Sequence, residues 1–137
     1  MSAVRSSEAE PTAPIRLTIP ADFRYLRLAR VTAAAVAADM DYSVQDIDDV
    51  RVAVDELAAI LIEDAAEGTE MEICFAIADH GGLSVEGHVV GGSQVDPDIH
   101  PVAAELLALV VDRYELSVDR GRGRVFRFWK QLGGDQG

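Results

Sequence analysis

Apolar and polar residues alternate through IRLTI, residues 15–19, and Pro20 closes the run. A period of two with a terminal proline predicts a short edge strand. Asp22 then stands as N-cap for FRYLRLARVTAAAVAADM, where the spacing of Phe23, Leu26, Arg30 and Ala33 and the alanine-rich second half predict a packed helix. A second helix starts at Ser43, an N-cap with Asp46 three residues on, close to a capping box, and with Asp48 and Asp49 favourably placed for the helix dipole. Its apolar stripe is Ile47, Val50, Val54, Leu57 and Leu61, which successive turns of about 100° per residue place on one face.

Beyond Gly68 the period returns to two. MEICFAIAD and LSVEGHVV flank HGG, the signature of a hairpin. GGSQVDPDIHP reads as a loop, of the length that is often functional, and Pro101 suits the first position of a helix running through VAAELLALVVDR. YELSVD, the turn RGRG and RVFRFWKQL form a second hairpin, in which Val125, Phe126, Phe128 and Trp129 supply bulk. The order β-α-α-β-β-α-β-β predicts an α+β two-layer sandwich.

A chain of 137 residues holds about one domain. Composition sets its bounds at 15–132, between a disordered polar tail over 1–14 and a short tail over 133–137. A net charge of −12 opposes nucleic acid and anionic membrane and favours basic partners. Charges interrupt every apolar run short of a membrane span. A single cysteine, Cys74, and an N-terminus with no apolar signal core lead us to expect a reduced cytoplasmic setting, with Cys74 filling a strand as a small hydrophobe. His80, His88 and His100 lack ligand spacing, so no metal site is expected. The arginines of DRGRGRVFRFWK read as solvated turn chemistry.

One stretch resists this bland account. RVAVDELAAILIEDA, residues 51–65, carries the acid pair Asp55 and Glu56 in the middle of an apolar helix. Both lie off the centre of the stripe, so a solvated face, or for Glu56 a salt link to Arg24 or Arg27, is one reading. In the other, Ala53, Glu56 and Ile60 share a flank next to the stripe and Glu56 borders a cleft. Asp55 is expected at the surface. Arg24, Arg27 and Arg30 form a stripe on the first helix, while Asp46, Asp48, Asp49, Glu63, Asp64 and Glu67 would offer an acidic face.

IDDVRVAVDELAAILIEDA resembles the first signature helix of the GHKL, or histidine-kinase-like ATPase, superfamily. More narrowly it resembles the RsbW and SpoIIAB type of anti-sigma factor and serine kinase, with the AVDE core of actinobacterial UsfX-type members. The likeness runs from the opening strand through LSVEGHVVGGSQVDP to AAELLALVVDRYELSVDRGRGRVFRFWKQL.

The resemblance implies a catalytic role for Glu56 and a nucleotide site formed by Ile60, Val89, Gly91 and Asp96. In the family an asparagine holds Mg²⁺ where this chain has Ile60, which offers no oxygen for octahedral ligation. The family's adenine-binding aspartate and its following glycine align with Val89 and Gly91. Its glycine-rich phosphate turn aligns with PDIHPVAAELL, which has no glycine. Each loss costs on the order of 1–3 kcal/mol. Together they erase micromolar binding. ATP and Mg²⁺ are therefore expected to bind weakly or not at all, unless Asp79 and Gly81 of DHG restore the adenine site through a different hairpin pairing.

The implied partners are a sigma factor, an anti-anti-sigma antagonist of STAS type and a second copy of the chain. Sequestration is the leading function. An active ATP-dependent serine kinase, with Glu56 as base and Asp96 or Asp98 substituting at the metal, is the alternative, and a scaffold outside transcription is a third.

Overall fold

The computed structural model describes residues 13–78 and 81–131. The expected tails lie outside that range apart from positions 13 and 14, as do Asp79, His80 and Leu132. Strand β1 (Ile15–Pro20) leads through a 3-10 turn (Phe23–Tyr25) into α1 (Leu26–Asp39) and α2 (Val44–Glu63). Then come β2 (Glu70–Ile77), β3 (Leu83–Val89), α3 (Pro101–Val110), β4 (Arg113–Asp119) and β5 (Gly123–Lys130). The expected α+β order is thus observed.

The strands form one five-stranded antiparallel sheet in the order β1-β2-β3-β5-β4, with β1 at an edge. Alternation along each strand divides it between two faces. Ile73, Phe75, Val85, Phe126 and Phe128 are buried in the core with Val50, Val54, Leu57 and Leu61 of α2. The stripe read from the sequence is therefore the face that packs. On the other side of the sheet, Arg16, Cys74, Glu86, Arg127 and Glu115 lie in one cross-strand row. Cys74 is accordingly half-buried among polar neighbours, outside the core cluster.

Local chemistry fixes the helix ends. The Ser43 hydroxyl accepts from the backbone N–H of Asp46 at 3.1 Å, as capping requires. Asp22 also caps, accepting from the N–H of Arg24 at 2.9 Å, yet it starts the 3-10 turn and regular α-helix begins only at Leu26. Asp41 has φ +63°, which reverses the chain between α1 and α2. Among the described residues no helix is long and apolar enough to cross a membrane.

Candidate functional site

Helix α2 presents Glu56 and Ile60 half-buried on one flank, as the spacing predicts. With Phe23, Glu63, Asp98 and His100 they line a cavity of about 190 Å³. His100 is the N-cap of α3, its Nδ1 accepting from the N–H of Val102 at 3.3 Å, so the proton of a neutral ring sits on Nε2. Among the described residues no ion pair joins Glu56 to Arg24 or Arg27; Arg24 pairs with Asp22 at 3.5 Å.

The remaining nucleotide candidates lie elsewhere. Val89 is 1% exposed, in the core beside its strand partner Met71. Gly91, at φ +68°, forms the turn after β3. Asp96 is exposed on the loop, and it is Asp98 that reaches the cavity with Glu56. Gly81 is at the wrong end for the alternative adenine site. Ile77 pairs with Leu83 and Leu83 with Lys130, which places Gly81 near the start of α2.

Arg124 was not among the expected site residues. It is 6% exposed, and from the start of β5 its Nε donates to the carbonyl of Val95 at 2.9 Å. Its Nη1 donates to the carbonyl of Ile60 at 3.4 Å, and its Nη2 lies 3.0 Å from a carboxylate oxygen of Asp64. The guanidinium thus bridges α2 and the loop after β3. The sequence signal was strand alternation, which puts Arg124 on the same face as Phe126 and Phe128.

Several charged groups differ from expectation for the same reason, because tertiary approach supplies their counter-ions. Asp46 and Asp49 belong to no acidic surface. Their side chains are 13% and 14% exposed, and Lys130 Nζ lies 3.5 and 3.2 Å from them. Asp64, half exposed, pairs with Arg124 across the fold, whereas the half-exposed Asp48 pairs locally with Arg51 three residues on in the same helix. Arg30 leaves the arginine stripe to bond Asp55 at 2.7 Å, so Asp55 is no free surface acid.

The arginine hairpin is likewise organised rather than merely solvated. Arg122 donates to Glu86 at 2.7 Å and to Asp119 at 3.2 Å, while Arg127 reaches Glu86 at 3.3 Å. Burial pushes the Glu86 carboxyl up, but the Arg122 hydrogen bond and the charge of Arg127 outweigh it and hold the group below its usual range. The hydrogen bond to Glu86, with that to Asp119, raises Arg122 above its ordinary value.

Among the described residues no group of three or more His, Cys, Asp or Glu side chains is placed to hold a metal ion. No family model and no curated protein matches the sequence. The structure is similar to the crystal structure of the RsbU and RsbW domains of a Mycobacterium tuberculosis protein, with a TM-score of 0.66 and 18% identity. The match covers 89% of this chain and 32% of that one. At that identity the likeness is one of fold alone, an α+β sandwich of helices packed on a five-stranded antiparallel sheet.

Proposed function

We propose that the protein is a partner-switching regulator of the anti-sigma type, acting by protein sequestration rather than by chemistry. The observation that carries this reading is the RsbW-like fold over 89% of the chain. Its partners in this proposal are a sigma factor, whose basic DNA-binding surface suits a chain of net charge −12, and a STAS-type antagonist that competes for release. Cytoplasmic location, homodimerisation and kinship with UsfX-type proteins belong to the same proposal. The basis for the UsfX kinship is the AVDE helix, and that for the dimer is the opening strand and helix, which in the resembling family contribute to the homodimer interface.

Weak or absent nucleotide binding is part of the proposal, because the residues present do not fit a magnesium nucleotide. Ile60 offers no metal ligand, Val89 is a buried aliphatic side chain, and Arg124 lies between Ile60 and the loop. The cavity beside Glu56, about 190 Å³, falls below the usual range for ligand sites of roughly 300–1,000 Å³. Phosphoryl transfer depends on positioning and on charge neutralisation by metal, and neither Ile60 nor Val89 supplies a group for either task.

The kinase alternative rests on Asp98 standing in the same cavity as Glu56. Calorimetric titration with ATP, with and without Mg²⁺, separates the two. No heat up to millimolar ATP is expected, and binding at micromolar strength would move the protein to the kinase class. Purified sigma factors and STAS proteins from the source cell supply the second test, and failure of all of them to bind removes the sequestration reading.

A further inference from the structure

The loop from Val90 to His100 has no regular secondary structure and few hydrogen bonds of its own. Gly92 N–H meets the carbonyl of Val89 at 2.9 Å, and Val95 N–H meets the Ser93 hydroxyl at 3.1 Å. Such a segment opens easily unless something outside it holds it down. Two adjacent residues of β5 do so. A side chain at Gly123 would place its Cβ 2.5 Å from the carbonyl oxygen of Gly92 and 2.9 Å from that of Ser93, so the backbones are in direct contact, and its φ of +85° also calls for glycine. Arg124 then bonds Val95 on the loop, Ile60 on α2 and Asp64 at the C-cap of α2.

We propose that Arg124 is a built-in clamp that closes this loop over the C-terminal half of α2 and fills the space between them with the chain's own cation. A planar guanidinium reaches acceptors in three directions at once, which a lysine ammonium on the same stem does not. Asp64 is half exposed and completes the clamp from the solvent side. The clamp belongs to the isolated chain and needs no partner protein.

Limited digestion with an endoproteinase that cuts before aspartate reads the clamp directly, because the loop contains Asp96 and Asp98. Cutting before Asp41, in the α1–α2 turn near the other end of β5, is the internal reference. When reclosing is fast, cleavage tracks the open population. In Arg124→Lys, loop cutting relative to cutting at Asp41 is expected to rise about tenfold, and in Asp64→Asn about threefold. Circular dichroism establishes that each variant is folded, and Asp64→Asn, altered at a half-exposed carboxylate, keeps the test available if Arg124→Lys does not fold. An unchanged ratio in the folded variants overturns the clamp. So does an equal rise at both places, since that reports a global loss of stability.

Discussion

The Arg30 guanidinium lies 2.7 Å from the Asp55 carboxylate and joins α1 to α2, while the adjacent Glu56 lines the cleft. Neighbours in sequence thus have separate tasks. Both partners of the pair are more than a third exposed, so solvent screens it and Asp55→Ala should cost only about 0.2–1 kcal/mol. Glu56→Gln should leave stability within about 0.5 kcal/mol, because no cation is lost. Urea denaturation of the two variants measures the difference, and a larger loss in Glu56→Gln contradicts the assignment.

Lys130 poses a harsher case. Its ammonium is 12% exposed between Asp46 and Asp49, so Lys130→Met leaves two poorly hydrated carboxylates without their shared cation. Because the three side chains are partly buried and Gln45 still donates to Asp49 at 2.9 Å, the loss of this charge-assisted contact is expected to cost about 1.5–3 kcal/mol. A loss under about 1 kcal/mol in urea titration would show that water already solvates the pair.

These two arrangements mark what could be read from sequence and what could not. The stripe Val50, Val54, Leu57 and Leu61 and the alternation of β2 and β3 were legible because burial repeats with the period of the element. Ion pairs have no period. Asp46 and Asp49 look like part of a solvated acidic run until a strand end more than eighty residues later brings Lys130 to them. The flank carrying Glu56 and Ile60 was readable from helical spacing, whereas the approach of Asp98 and His100 depended on a loop path that composition does not specify. Arg124 was hidden by its neighbours: GRGR reads as a turn, and only the inward phase of Phe126 and Phe128 exposes its burial.

Glu86 predicts an acid-side dependence. Its carboxyl is depressed in the folded state, so the stability it contributes is present above the ordinary glutamate range and is lost as pH falls through the lower folded value. At pH 7 the wild type should exceed Glu86→Gln in urea midpoint, and the gap should close below about pH 4.5. A gap that stays constant from pH 7 to pH 3 would falsify the coupling to Arg122 and Arg127.

Tyr42 predicts the opposite side. The residue is buried at the α1–α2 turn, and its hydroxyl donates to the carbonyl of Lys130 at 2.5 Å. Burial pushes the phenol up to about 12, with Asp46 and Asp112 adding to the shift and the backbone of Leu83 opposing it. A raised pKa means that the neutral form is the one the fold favours. Its contribution is complete below the ordinary value of 10.0 and is lost as pH rises toward about 12. Tyr42→Phe forfeits the hydrogen bond at every pH, about 0.5–1.5 kcal/mol, and leaves the Lys130 carbonyl to find another donor. It also removes the group that must ionise. Urea midpoints at pH 8, 10 and 11 should therefore converge for wild type and variant as pH rises, the wild type losing stability faster. Parallel decline of the two would mean that Tyr42 ionises as readily in the folded chain as in the unfolded one, and that the buried hydrogen bond does not hold its proton.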